Sequence, residues 1–324
     1  MSQKLMVVIP CYNEEEVLPE TSRRLILKMK ALIEKGACDE TSRVLFVDDG
    51  SKDKTWELIR ALHQDNPLFE GLKLSRNRGH QNALLAGLMT ARKHCDFCIS
   101  MDADLQDDMD AMDRFIDEYR DGCDIVYGVR NKRDTDTFFK RQTALAFYRM
   151  MKSLGVDITY NHADYRLMSR RALDALAGFR EVNLFLRGLA PLVGFQSGYV
   201  YYDRNERFAG KSKYPFKKML AFAIDGITSF SVKPLRLITT LGLVIFVISL
   251  LMLIYTLITF IVGHTVTGWT STIASIWLIG GIQLLSLGVI GEYIGKIYNE
   301  SKHRPRFIID RYLNGEGFDP EKDE

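Results

Sequence analysis

Leu5-Met6-Val7-Val8-Ile9-Pro10-Cys11-Tyr12-Asn13-Glu14 is an apolar run that stops on an aromatic, an amide and a carboxylate. Such a run, with no polar alternation, predicts a strand buried on both faces. A helical stretch from about Glu14 to Lys35 follows, and a second apolar run, Val44 to Val47, ends on Asp48-Asp49-Gly50-Ser51. The rhythm then repeats: helix Asp53 to Gln64, strand Leu72 to Leu74, helix Gln81 to Lys93, strand Phe97 to Met101, helix Asp110 to Tyr119, strand Ile125 to Tyr127. Apolar strands separated by amphipathic helices predict a parallel sheet covered on both faces, an open α/β fold whose ligands sit at the carboxyl ends of the strands. Polar groups collect at three such ends. Tyr12, Asn13 and Glu14 follow the first strand, Asp48 and Asp49 the second, and Asp102 and Asp104 the strand that ends at Met101.

Beyond Arg130 the rhythm changes. Thr137 to Leu154 reads as a helix, Tyr165 to Met168 as extended, Arg170 to Ala177 as a helix and Gly198 to Tyr202 as a strand; a basic turn, Arg204 to Lys213, comes next. From Pro215 to Leu235 apolar residues alternate with Lys217, Lys218 and Lys233, the pattern of a helix lying in a membrane interface. Between Leu237 and Gly291 there is no Asp, Glu, Lys or Arg. Two apolar segments in that stretch, about Leu237 to Val262 and Thr272 to Ile290, are long enough to cross a hydrocarbon core of roughly 30 Å, which takes about 20 helical residues. Lys233 and Arg236 flank the first, and Lys296, Lys302, Arg304 and Arg306 the second, whereas the connecting loop has only His264. The positive-inside rule then puts both termini in the cytoplasm. The expected organisation is a cytoplasmic α/β domain over 1–214, juxtamembrane helices over 215–236, a two-helix membrane hairpin over 237–295 and a cytoplasmic tail over 296–324. The expected location is the cell membrane. No secretory signal is expected, because Met1 to Pro10 lacks the basic start and long apolar core of one.

Lys and Arg total 43 against 41 Asp and Glu, a formal net charge of +2 that gives nucleic acid no electrostatic footprint. The cysteines are Cys11, Cys38, Cys95, Cys98 and Cys123. Cys95 and Cys98 have metal-type spacing but lack a second ligand pair, so reduced, buried thiols are expected.

Met101-Asp102-Ala103-Asp104-Leu105-Gln106-Asp107 carries the most chemistry. Two carboxylates one residue apart at a strand end can share a hard divalent cation that completes its shell with phosphate oxygens and water. Asp107 and Asp108 are expected to cap the next helix. Asp48 and Asp49 can accept hydrogen bonds from a base or ribose, with Gly50 permitting the sharp turn, and Asn13 and Glu14 can serve the same nucleotide.

As a set these runs resemble glycosyltransferase family 2, the inverting enzymes of GT-A fold. The resemblance extends through Asn77-Arg78-Gly79-His80-Gln81-Asn82, Gly128-Val129-Arg130, Asp164-Tyr165-Arg166-Leu167 and Arg207-Phe208-Ala209-Gly210-Lys211-Ser212-Lys213-Tyr214. It is strongest with the polyprenyl-phosphate branch, the dolichol-phosphate mannose synthases and the bactoprenol glucosyltransferases, and covers nearly the whole chain. The resemblance implies that Pro10, Tyr12, Asn13, Glu14, Asp48, Asp49, Asp102 and Ala103 bind the nucleotide-sugar. It implies that Asp104 and Gln106 hold Mg²⁺ or Mn²⁺, and that Arg130, Arg141, Arg207, Lys211 and Lys213 surround the donor diphosphate and acceptor phosphate. Asp102, Asp104 and Asp164 become the catalytic carboxylates; Asp164 matches a position sometimes viewed as a base. A phosphate monoester acceptor is already largely ionised near neutral pH and does not require one.

The expected reaction is a single displacement in which a polyprenyl phosphate such as undecaprenyl phosphate takes glucose from UDP-glucose, with UDP-N-acetylglucosamine, GDP-mannose or an aminoarabinose donor as alternatives. A processive polysaccharide synthase would carry Gln-x-x-Arg-Trp and more membrane helices, and the nearest stretch here is Arg204-Asn205-Glu206-Arg207-Phe208. A non-catalytic membrane scaffold would have lost metal or phosphate ligands, yet Asp102, Asp104, Gln106, Arg207 and Lys213 are in place. Related hairpin enzymes suggest a homotetramer, with Gly280-Gly281 permitting close helix approach.

Overall fold

A computed structural model describes residues 3–131, 162–182, 184–203, 233–261 and 268–314. These fall into two compact units, one containing the described residues up to 203 together with 304–314, the other 233–303. In the first, β1 (Leu5–Cys11), α1 (Leu18–Glu34), β2 (Arg43–Asp48), α2 (Thr55–Asp65), β3 (Phe69–Leu74), α3 (His80–His94), β4 (Phe97–Ser100), α4 (Ala111–Arg120) and β5 (Ile125–Arg130) alternate as the apolar rhythm predicts. After them come β6 (His162–Ser169), α5 (Arg170–Leu176), α6 (Leu186–Leu192) and β7 (Ser197–Tyr202). The second unit contains α7 (Lys233–Ile261) and α8 (Trp269–Ser301); the chain then returns to the first as β8 (Ile309–Leu313).

The strands form one sheet in the order β7-β5-β6-β4-β1-β2-β3-β8. Every residue of β1 is buried, as expected for a central strand covered on both faces. β3, β2, β1 and β4 run parallel. The fully parallel sheet read from the sequence needs correction at two places. β6 lies antiparallel between β4 and β5, and β8 lies antiparallel along β3. Periodicity reports burial, whereas strand order and direction depend on connections that it does not encode. The insertion of β6 has a functional effect: pairing Ser100 with Arg166 brings Asp164 alongside the end of β4, where the Ser100 hydroxyl donates to the Asp164 carbonyl at 2.6 Å.

α3 packs on β1, β2 and β4 and buries Leu84, Leu85 and Leu88, each worth about 2 kcal/mol of apolar burial. Gly87 allows this close approach, since a Cβ there would lie 2.7 Å from Val47 Cγ2. Residues 304–314, expected in a tail, supply β8, whose buried Tyr312 donates its hydroxyl to Glu70 at 2.7 Å. The five cysteines are buried free thiols.

In the second unit α7 has 29 residues and α8 has 33. Counted over the described residues, no helix is long and apolar enough to cross a membrane. Side chains at several positions of both helices, Leu237 and Phe246 among them, lie outside the described set. The helix expected over Thr137 to Leu154 and the interface pattern of Pro215 to Leu235, up to the start of α7, also lie outside the described residues.

Candidate active site

The loops after β1 and β2 are stitched together. Asn13 adopts a left-handed conformation (φ 54°), donates its N–H to Ser51 Oγ at 3.0 Å and accepts the Lys52 N–H on Oδ1 at 2.9 Å. The Glu14 N–H donates to Thr55 Oγ1 at 2.9 Å. Pro10 is buried in β1 opposite Val47, while Tyr12 stands out of the loop, 42% exposed. Asn13 and Glu14 thus lock the loops after β1 and β2 to each other, with Tyr12 exposed beside them.

Asp48 is fully buried. One of its oxygens accepts the Ser51 N–H at 3.1 Å and the other has no hydrogen-bond partner. Burial raises its pKa, with the Ser51 hydrogen bonds opposing the rise. An orphaned carboxylate oxygen at a strand end is a ready acceptor for an incoming N–H or O–H. Asp49 is different. Its two oxygens accept the backbone N–H groups of Arg78 (2.6 Å) and Gly79 (2.8 Å), so its carboxylate fixes the loop before α3. Gly50 makes that clamp feasible: its φ is +66° and a Cβ would lie 2.7 Å from Asn77 N.

After β4 the chain turns through Asp102 to Gln106, with Leu105 at φ 58°. Ala103 is buried, and its carbonyl accepts the Thr21 hydroxyl at 2.9 Å. Asp104 Oδ1 accepts the Gln106 N–H at 3.2 Å. Asp102 keeps 31% of its side chain exposed, yet it is closely surrounded by protein on its other sides. Burial, then the negative charges of Asp107, Asp164 and Asp104, push its pKa up to about 6 against the pull of His80. A carboxylate crowded by carboxylates is what a divalent cation relieves. Among the described residues no group of three His, Cys, Asp or Glu forms a metal cage. The excess of negative charge around Asp102 is what fits a cation that takes much of its shell from a substrate phosphate and water, as magnesium does.

Asp107 and Asp108 do not act as the expected pair of caps. Asp107 is buried, and its Oδ1 accepts from Tyr202 Oη (2.6 Å) and an Arg130 terminal nitrogen (3.2 Å). Arg130 Nε also donates to Tyr202 Oη at 3.3 Å. Burial works against the Arg130 charge, but Asp107 and Tyr202 more than compensate and hold it firmly cationic. Asp108 accepts the Asp110 N–H at 2.9 Å, just before α4. Arg141, Arg207, Lys211 and Lys213 lie outside the described residues.

Asp164 has little of the character of a base. It is 7% exposed; its Oδ1 lies 2.8 Å from an Arg166 terminal nitrogen, and Arg187 reaches both of its oxygens at 3.2 and 3.0 Å. Burial opposes ionisation, but Arg187, His80 and Arg166 hold the carboxyl well below the usual range. A carboxylate that resists protonation is a weak proton acceptor and a good anchor.

The family profile Glycosyl transferase family 2 matches residues 6–177, and the profile GtrB C-terminal hairpin matches residues 233–297. The chain belongs to glycosyl transferase family 2. It is 55% identical to the uncharacterized glycosyltransferase YkoT of Bacillus subtilis (strain 168), over 98% of this chain and 94% of that protein. It is 40% identical to the bactoprenol glucosyl transferase of Shigella phage SfV, over 94% of this chain and 98% of that protein. Among solved structures, the mannosyltransferase PcManGT from Pyrobaculum calidifontis in complex with GDP-Man and Mn²⁺ has a TM-score of 0.44 at 17% identity, covering 93% of this chain and 88% of that one. That likeness is too loose to bear on this glycosyltransferase's chemistry.

Two residues of the glycosyltransferase site carry no role in the sequence reading. Arg187 lies in an otherwise apolar run, Leu184-Phe185-Leu186-Arg187-Gly188-Leu189, and an isolated guanidinium there was the available signal. His80 stood inside the family-like Asn77–Asn82 run without a role. Its Nε2 lies 3.6 Å from Asp102 Oδ1 and 3.5 Å from Asp164 Oδ2. Burial opposes its protonation, but Asp164 and Asp102 raise its pKa.

Proposed function

We propose that this glycosyltransferase transfers glucose from UDP-glucose to a polyprenyl phosphate, such as undecaprenyl phosphate, at the cytoplasmic face of the cell membrane. The observation that carries the reading is the similarity to bactoprenol glucosyl transferases at about 40% identity over nearly the full length, hairpin included. It favours neither the processive synthase nor the scaffold, and among donors it supports glucose over N-acetylglucosamine and mannose.

The buried Asp48, with its orphaned oxygen, accepts a base N–H, and Tyr12 covers the base from the exposed side. Asp102 accepts hydrogen bonds from the sugar. Asp104 and Gln106 hold Mg²⁺ or Mn²⁺, which when bound neutralises charge developing on the departing diphosphate. Arg130, braced by Asp107 and Tyr202, points its fixed charge at phosphate, with Arg141, Arg207, Lys211 and Lys213 as further cationic partners. An oxygen of the lipid phosphate, ionised without help because its second pKa is about 6, forms the new bond to the anomeric carbon. The bond from that carbon to the UDP oxygen breaks, the configuration inverts, and the electron pair leaves on UDP. The site's contribution is alignment and charge complementarity, with no proton taken by Asp164.

In this reading α7 and α8 are the membrane spans. At ~1.5 Å per residue their 29 and 33 residues give about 43 and 50 Å of helix, more than a hydrocarbon core of roughly 30 Å. Thr239, Thr240 and Ser286 return their hydroxyls to carbonyls of their own helices, which removes the need for outside partners. A homotetramer through these helices belongs to the same proposal. The test is transfer in detergent with undecaprenyl phosphate, Mg²⁺ or Mn²⁺ and a panel of radiolabelled nucleotide-sugars. Butanol-extractable label from UDP-glucose supports the reading. Label only from another donor overturns the sugar assignment, and label from none overturns the lipid acceptor.

A further inference from the structure

We infer that His80 is a positioning residue for Asp102, tying that carboxylate to Asp164 and holding it in line with the nucleotide-side loop. The inference rests on the reading of Asp102 as the carboxylate that meets the donor sugar. One imidazole nitrogen stands at ion-pair distance from two carboxylates on different segments, 3.6 Å from Asp102 beyond the end of β4 and 3.5 Å from Asp164 in β6. The link joins the turn after β4 to β6, the antiparallel strand beside it.

The backbone around His80 is pinned on both sides. Before it, the Arg78 and Gly79 N–H groups are held by Asp49, and Gly79 takes a φ of 87° that suits glycine. After it, Gln81 Oε1 accepts the Leu186 N–H at 2.9 Å, and Asn82 Nδ2 donates to the Arg78 carbonyl at 2.8 Å. Leu186 opens α6, whose next residue, Arg187, grips Asp164. The contacts therefore close a ring of His80, Asp164, Arg187, Leu186 and Gln81, with Asp49 bracing the loop that leads into it. Asp102 is attached to that ring through His80. The nucleotide end of the site and the sugar end are thus mechanically joined.

Two energies separate this role from an incidental ion pair. His80 is 44% exposed and heads α3, where the helix dipole disfavours a cation. Asp164 keeps Arg166 and Arg187 when the imidazole is removed, and Asp102 stays part-exposed to solvent. Loss of the imidazole should barely move the melting temperature. Misplacing a carboxylate that orients the sugar is a different matter, since misalignment by about 1 Å can cost up to ~100-fold in rate.

The test uses the purified full chain in detergent with UDP-glucose and undecaprenyl phosphate, comparing His80→Ala and His80→Gln with wild type. The expected result for His80→Ala is a fall in kcat of roughly tenfold or more, with the Kd for UDP and the melting temperature nearly unchanged. His80→Gln, which offers an N–H at similar reach, should recover part of the loss. The inference is overturned if kcat in His80→Ala stays within about twofold of wild type, or if UDP affinity falls as far as kcat, which marks a general scaffold role. A wild-type chain inactive with UDP-glucose but active with another donor overturns the donor assignment alone, and the same comparison is then read on that donor.

Discussion

Asp164→Asn separates an anchor from a base. In the anchor reading the substitution removes the counter-charge of Arg166, which is 2% exposed, and of Arg187, which is 34% exposed. Taking one partner from a buried ion pair costs about 3–5 kcal/mol. The Arg187 share is discounted for solvent, which leaves about 3 kcal/mol, mostly from Arg166. For a unit of this size each kcal/mol shifts the melting temperature by roughly 2–4 °C, so a fall of about 6–12 °C is expected by scanning fluorimetry in detergent. The pH dependence follows from the sign of the shift. The folded-state pKa is depressed, so the stabilisation is fully present above the unfolded value of about 3.9 and disappears as pH falls through the lower folded value. The gap between wild type and Asp164→Asn should thus be widest near about pH 5–6, narrow as pH rises through the raised pKa of His80, which loses its Asp164 partner in the variant, and close in strong acid. Residual transfer should keep the wild-type pH profile. A variant that melts with wild type, loses transfer and loses the acid limb of its pH–rate profile would show that Asp164 is the base and that the anchoring argument is wrong.

Three further outcomes are expected. Gly50→Ala forces a side chain into a left-handed turn at about 1–3 kcal/mol of strain and pushes its Cβ against the Arg76–Asn77 backbone; UDP affinity measured by calorimetry should fall about tenfold or more. Tyr202→Phe removes the 2.6 Å hydrogen bond to buried Asp107 at about 1–2 kcal/mol, so the melting temperature should drop by roughly 2–8 °C and the donor KM should rise as Arg130 loosens. Asp104→Ala should abolish transfer at any Mg²⁺ or Mn²⁺ concentration, whereas wild type treated with a chelator should recover on metal addition; metal-independent transfer by wild type would refute the cation's role.

The sequence was most legible where burial alone decides structure. β1, β2 and β4 fall where the apolar runs stand because strands covered on both faces have no polar alternation. The acidic strand ends were legible for the same reason: a carboxylate that interrupts such a run must emerge at its end. What escaped was long-range. β6 can carry Asp164 to β4 only by running antiparallel, and nothing in Tyr165 to Met168 states its direction. Asp107 looked like a cap because it precedes a helix, and its true partners, Arg130 and Tyr202, come from β5 and β7. Asp49 looked like a ligand beside Asp48, yet neighbours in sequence at a strand end face opposite ways, and it turned to the loop before α3. β8 is a short, half-exposed edge strand with weak periodicity, and it reads as tail until β3 is available to pair with it.

The most direct test of the central claim is the identity of both products from one reaction of UDP-glucose with undecaprenyl phosphate and metal. Free UDP and, by mass spectrometry, a lipid carrying one hexose on a single phosphate are expected. Release of UMP with a hexose on a lipid diphosphate would mean that a sugar phosphate moves, and would rule out displacement at the anomeric carbon.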